Sequence, residues 1–262
     1  RIHHRTVDEQ HVGGVRLPLQ PLQILQKQRA IAQQVERECQ REEGGRGEEH
    51  QPPCDPVELR SFREHRAQAE AYVREGRLAA AIGYMTLARS ERAQLFVAGQ
   101  GITRESSALR GRSGLPGLLR ALDRIEAEGG TDLARAVDLV VQKSPRPGML
   151  VVISDFFDGG PVIEALSRAV KAGHDVVAAQ VVAPDEIEPS FEGDWALEDV
   201  ETGQTVEVTM DPAAIEAYVL RFAGLCEELR AWARKHGAGY LRVRTDEALE
   251  GAVRRFVARS VD

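Results

Sequence analysis

The chain has 262 residues, 42% of them hydrophobic, enough for one large domain or a domain with an appendage. Acidic residues outnumber basic ones, 41 to 34, for a formal net charge of −7, which argues against the strongly basic footprint of a nucleic-acid-binding protein. Cys39, Cys54 and Cys226 are widely scattered with no Cys-x-x-Cys or Cys/His ligand spacing, so neither a zinc site nor a disulfide framework is expected and a reducing cytoplasm is the plain reading.

Residues 1 to 65 are rich in Gln, Arg, Glu and His, and carry a Gly44-Gly45-Arg46-Gly47 stretch and a Pro52-Pro53-Cys54-Asp55-Pro56 breaker. Scattered Leu and Ile allow one helix from Gln23 to about Arg41. No strand pattern is evident, and the segment is expected to be poorly ordered. Arg1 stands where a Met would begin a chain, so the sequence reads as a fragment. No signal-peptide pattern follows Arg1, and no apolar run reaches the ~18 residues of a membrane span.

From residue 66 to 262 the chain changes character. Ala69, Val73, Leu78, Ala81, Ile82, Met85 and Leu87 form the apolar stripe of a helix over 66–90. A short strand over 93–98 follows, then helices over 114–128 and 132–143. Met149 to Ser154 reads as a buried strand, 161–172 as a helix, and 175–182 as a second buried strand. The stretch 195–209 alternates about the turn Glu201-Thr202-Gly203-Gln204 and predicts a β-hairpin inserted in the βα rhythm. Pro212 opens a long helix to about His236, closed by Gly237 and Gly239. A strand over 239–243 and a helix over 246–259 complete the chain. Strands alternating with helices imply an α/β fold, a mostly parallel sheet covered on both faces.

Two loops carry the candidate chemistry. Gly129-Gly130-Thr131-Asp132-Leu133 precedes one helix, and Asp155-Phe156-Phe157-Asp158 follows the buried strand. Together they place a hydroxyl and a carboxylate outside the carboxyl ends of strands, where open α/β sheets bind ligands. Such oxygens suit Mg²⁺, which takes an octahedral oxygen shell and keeps several waters. The blander readings make Thr131 a helix N-cap, Asp155 a strand end and Asp158 turn chemistry. His174 reads as a solvated turn residue, His236 as a helix C-terminal charge, Trp195 and Trp232 as packing residues, and Arg110, Arg112, Arg120 and Arg124 as a solvated face. Gly111-x-x-Gly114-x-x-Gly117 lacks the preceding strand and the spacing of a dinucleotide loop, and neither a P-loop nor Gly-x-Ser-x-Gly is present. Asp155 and Asp158 are three apart, not the two apart of a haloacid dehalogenase motif, which leaves a metal-dependent hydrolase as the competing class.

Residues 78–258 resemble the bacterial domain-of-unknown-function 58 family, whose C-terminal half is a von Willebrand factor A-like domain. The resemblance rests on LAAAIGYMTL at 78–87, LRGRSGLPGLLRAL at 109–122, GGTDLARAV, LVVISDFFD, GHDVVAAQVV, the GDWALEDVETGQTVEVT hairpin and GYLRVRTDEAL, in that order. It implies a Rossmann-like, doubly wound, mostly parallel sheet with a metal-ion-dependent adhesion site built from three loops. Thr131 matches the second loop and Asp155 the third. The first, Asp-x-Ser-x-Ser after the central strand, occurs nowhere in the chain. Residues 50–77 hold no apolar strand to carry it, so the middle strand is expected to be missing too. A frame shift within residues 1 to about 70 accounts for this; a natural truncation with an unrelated leader is the rival. The resemblance further implies a non-enzymatic protein-interaction module of the cytoplasm, an adaptor beside a MoxR-type AAA+ ATPase. Its Mg²⁺ site is expected to be incomplete, with Thr131 and Asp155 as the remaining ligands. A non-functional fragment is the third reading.

Overall fold

The computed structural model describes residues 22–27, 56–125, 131–157, 159–189, 193–198 and 205–259. In chain order the elements are β1 (Leu22–Lys27), α1 (Pro56–Ala88), β2 (Arg92–Gly99), β3 (Gly101–Glu105), β4 (Leu109–Arg110), α2 (Leu115–Asp123), α3 (Leu133–Lys143) and β5 (Met149–Ser154). They continue with α4 (Gly160–Lys171), β6 (Asp175–Val182), a single turn α5 (Pro184–Ile187), the strands β7 (Gly193–Glu198) and β8 (Thr205–Met210), α6 (Pro212–His236), β9 (Gly239–Arg244) and α7 (Leu249–Arg259).

The main sheet runs β3-β2-β1-β5-β6-β9, with β4 paired to β2. β2, β1, β5, β6 and β9 are parallel, whereas β3 and β4 add antiparallel to the β2 edge. The strand order reverses direction at β1, which makes the carboxyl end of β1 the switch point of a doubly wound sheet. β7 and β8 form a separate two-stranded ribbon, registered from Gly193 opposite Met210 to Glu198 opposite Thr205. This is the predicted hairpin.

Alternation along the buried strands sorts their side chains into two cores. Val151 and Ile153 join Leu95, Val97, Val177 and Val181 beneath Leu78 and Ile82 of α1, Leu118 of α2 and Phe256 of α7. Leu150 and Val152 join Phe96, Val176 and Ala178 beneath Val137 of α3, Leu166 of α4 and Leu229 and Trp232 of α6. Helix α1 approaches α2 so closely that a Cβ on Gly83 would clash with Leu118 Cδ2. The long helix α6 starts on an Asp211 cap and stops at Gly237, whose φ of 62° is the left-handed turn that glycine adopts without a Cβ clash.

The structure corrects the reading of the first 65 residues. The middle strand of the sheet is present: Leu22–Lys27 lies between β2 and β5, pairing Ile24 with both Leu95 and Val151. The helix expected from Gln23 is a strand over those residues, and the remainder of that expected helix lies outside the described residues. Two glutamines in LQILQK hide the apolar alternation that a sequence reading relies on. Helix α1 starts at Pro56, so the expected boundary at residue 65 falls inside it. β3 and β4 were also not foreseen; both are short edge strands with polar, exposed residues.

Candidate functional site

Thr131 is placed by β2 and α3. The Asp132 N–H donates to the Gly99 carbonyl at 2.7 Å, which ties this loop to the end of β2. The Asp132 carboxylate accepts the Arg135 N–H at 2.8 Å and is the N-cap of α3. Thr131 therefore precedes the cap and is not the cap itself, and it is half-buried.

Asp155 follows β5 in a tight, internally bonded turn. Its carboxylate Oδ1 accepts the Ser154 hydroxyl at 3.2 Å and the Phe157 N–H at 3.3 Å. Ser154 Oγ accepts the Phe156 N–H at 3.2 Å. Ser154 is fully buried and Asp155 nearly so. Phe156 has a φ of 61°, a left-handed conformation uncommon for a bulky side chain and held here by burial of its ring. Phe157, by contrast, is 43% exposed, and its ring lies 5.9 Å from that of Phe222 on α6.

A buried polar cluster not recognised in the sequence supports this turn. Gln180, in the middle of β6, donates through Nε2 to the Asp155 carbonyl at 2.9 Å. Its Oε1 accepts the Tyr240 hydroxyl at 2.7 Å and the Cys226 thiol at 3.5 Å. Tyr218 donates its hydroxyl to the Glu186 carbonyl at 3.0 Å. Burial, and then the carboxylates of Glu186 and Asp155, pushes the Tyr218 phenol up to about 12. The available signal was a lone glutamine in the apolar strand DVVAAQVV, because a polar side chain in a strand covered on both faces is buried and requires partners.

In the sheet order, β2 and β5 flank β1, so Thr131 and Asp155 belong to loops on either side of the β1 carboxyl end. The sequence after Lys27 is Gln28-Arg29-Ala30-Ile31-Ala32, which supplies neither a carboxylate nor a hydroxyl. The described donors are thus one hydroxyl and one carboxylate, with one carboxylate oxygen already accepting two hydrogen bonds. Among the described residues, no three His, Cys, Asp or Glu side chains gather as a metal-binding group. This donor set does not match the octahedral oxygen shell of Mg²⁺.

The other singled-out residues fall as follows. His174 is buried rather than solvated. Its Nδ1 accepts the Gly148 N–H at 3.4 Å, and burial holds its pKa below the ordinary 6.5. Trp232 is a packing residue whose indole N–H donates to Ser167 Oγ at 2.9 Å, and His236 lies against its ring at the end of α6. Arg110, Arg112, Arg120 and Arg124 are exposed. Asp158 and the Trp195 side chain lie outside the described residues.

The strand order, the antiparallel edge and the loops around the switch point define a von Willebrand factor A-like α/β domain. The chain belongs to the family described as protein of unknown function DUF58, which it matches over residues 54–223. Uncharacterised proteins of Mycobacterium tuberculosis and Mycobacterium bovis are 32% identical over 185 residues, covering 69% of this chain. The chain spans 57% of the length of these relatives. Similar solved structures include BatB from Bacteroides thetaiotaomicron, with 14% identity, a TM-score of 0.47 and coverage of 91% of this chain and 96% of that one. A von Willebrand factor type A protein from Catenulispora acidiphila shows 12% identity and a TM-score of 0.44, covering 92% of this chain and 42% of that one. Among the described residues, no helix is long and apolar enough to cross a membrane.

Proposed function

We propose that this chain is a non-enzymatic protein-interaction module that works in the cytoplasm as an adaptor beside a MoxR-type AAA+ ATPase. The partner docks on the rim formed by the Thr131 loop and the Asp155 turn. The observation that carries this reading is the construction of that turn. One oxygen of the Asp155 carboxylate accepts the Ser154 hydroxyl and the Phe157 N–H, and the turn these bonds hold presents Phe157, a 43% exposed aromatic, beside the strand ends. A rigid turn that displays an aromatic anchor suits a protein contact, where aromatic side chains carry much of the binding energy.

In this reading Asp155 and Thr131 are remnants of an adhesion site whose first loop has lost its ligands, and contact does not depend on Mg²⁺. The test is binding of the full chain to a purified MoxR-type ATPase from the same genome, followed by sedimentation with and without EDTA. The expected outcome is a complex that survives EDTA and weakens about tenfold in Phe157→Ala, roughly 1.4 kcal/mol of contact energy. Absence of a complex sinks the adaptor reading. Mg²⁺-dependent hydrolysis of an aryl phosphate, abolished in Asp155→Ala, replaces it with the hydrolase reading.

A further inference from the structure

At the β3–β4 edge of the sheet, on the face covered by α1 and α2, a cleft of about 500 Å³ opens to solvent. Its floor is apolar, made by Leu95, Val97, Leu109 and Ala121. Its rim carries three guanidinium groups, Arg104 from β3 and Arg120 and Arg124 from α2, with Ser106 and Ser107 between them. The cleft shares no residue with the Thr131–Asp155 rim.

Among the described residues, no carboxylate cancels the charge of Arg120 and Arg124. Glu105, the one carboxylate among the described lining residues, is committed to the Lys143 ammonium at 2.8 Å and to the Gln94 amide at 2.8 Å. Arg104 donates to the Arg124 carbonyl, which fixes it against the end of α2. Among the described residues Arg120 and Arg124 are paired with no carboxylate, and Asp123 beside them on α2 forms no ion pair with either. Ser106 accepts the Leu95 N–H through Oγ at 2.9 Å and donates to the Ser107 carbonyl at 3.0 Å, so the wall is rigid. A basic cleft on a chain of net charge −7 is a local feature and not a consequence of composition.

We propose that this cleft is a second docking site and takes a short acidic protein segment with an apolar side chain between its carboxylates. Guanidinium groups are suited to carboxylates because their planar forks donate two parallel hydrogen bonds. The floor adds what a bare anion would not use: an inorganic phosphate would meet the arginines and leave Leu95, Val97, Leu109 and Ala121 wet. A nucleic acid needs a basic track longer than one cleft, against a chain that is acidic as a whole. The volume falls within the ~300–1,000 Å³ of ordinary ligand pockets, which suits a few residues of a segment and not a folded surface. The inference is independent of the adaptor reading, since it concerns other residues and needs no ATPase.

The experiment uses the full chain and a fluorescein-labelled peptide, Glu-Glu-Leu-Glu-Glu, blocked at both ends, with anisotropy as the readout. Binding is expected at low salt and is expected to weaken at least about tenfold in the pair Arg120→Glu and Arg124→Glu, with Arg146→Glu, an exposed charge reversal elsewhere, without effect. It is also expected to weaken steeply as salt rises from about 0.05 to about 0.3 M. All three arginines are exposed, and an unchanged melting temperature checks that the variants fold. Equal binding by the Arg120/Arg124 double variant overturns the site. Equal affinity for an all-Glu peptide, or displacement by millimolar phosphate, overturns the apolar anchor, and tighter binding of a single-stranded oligonucleotide of equal charge overturns the ligand class.

Discussion

Replacing Gln180 by leucine tests whether the buried amide holds the Asp155 turn in place. Gln180 is fully buried, and its amide serves three groups at once: the Asp155 carbonyl, the Tyr240 hydroxyl and the Cys226 thiol. Leucine fills nearly the same volume but serves none of them. A buried carbonyl or hydroxyl left without a partner costs about 1–3 kcal/mol. Two such groups, the carbonyl and the phenol, give a gross loss of roughly 2–6 kcal/mol, with the thiol adding little. Tyr240 is half-buried, so water recovers part of its share, and leucine returns about 1 kcal/mol through apolar burial. The net expectation is a loss of about 1–4 kcal/mol, read as a lower urea midpoint at unchanged m-value. A domain stable by about 5–15 kcal/mol survives this and remains measurable. The companion change Tyr240→Phe leaves Gln180 Oε1 with only the weak thiol donor and costs about 1 kcal/mol. In the leucine background the same change removes a hydroxyl that no longer has a partner. The double variant should therefore cost at least about 1 kcal/mol less than the sum. A Gln180→Leu protein within about 0.5 kcal/mol of the parent, or strict additivity of the pair, refutes the argument that this amide holds the turn.

Three further outcomes follow from the same structure. His174 is buried and neutral with a pKa held below 6.5, so the unfolded chain protonates first as pH falls. Stability should be level above the unfolded pKa, decline as pH drops below it and flatten once the folded pKa is passed; His174→Asn should remove that slope from urea melts taken across this range. The caps of α3 and α6 accept N–H groups at 2.8 and 2.7 Å, so Asp132→Ala and Asp211→Ala should each cost about 1 kcal/mol by denaturation. Gln28→Asp with Ala30→Ser and Ala32→Ser writes the missing ligand pattern after β1, and the triple variant should gain a Mg²⁺-dependent rise in melting temperature. A parent chain that is itself stabilised by millimolar Mg²⁺ contradicts the donor-set argument.

The elements that a sequence reading recovers are those whose burial is uniform. MLVVIS and DVVAAQVV are buried along nearly their whole length, so an apolar run and its flanking turns announce them. The helices α3, α4 and α6 carry long apolar faces against the sheet and are likewise legible. β1 is not, because its apolar positions are diluted by Gln23, Gln26 and Lys27, and what makes it a strand is its place between β2 and β5. The same limit applies to the candidate site. Thr131 and Asp155 were identified by loop composition and resemblance, and the sheet does put their loops on either side of β1. Sequence spacing does not reveal that the Asp155 oxygen is turned back onto its own turn, or that Gln180, Tyr240 and Cys226 converge from two strands and a helix. Those are properties of long-range packing.

This difference bears on what the rim can do. A carboxylate that awaits a cation must keep its oxygens available and its neighbours polar. At Asp155 the neighbouring positions are a fully buried serine, a left-handed phenylalanine packed into the core and a glutamine anchored from the next strand. Each of these interactions stabilises the turn in its present shape whether or not an ion is available. The turn therefore has a geometric use that needs no ion: it fixes the direction of Phe157 beside the end of β5. Selection on such a surface would act through the shape of the turn and not through the charge at its centre. On that argument Asp155→Asn, which keeps an acceptor oxygen for Ser154 and for the Phe157 N–H, should preserve partner binding, whereas Asp155→Ala should weaken it by loosening the turn. Equal loss in both variants would show instead that the negative charge itself is what the partner reads.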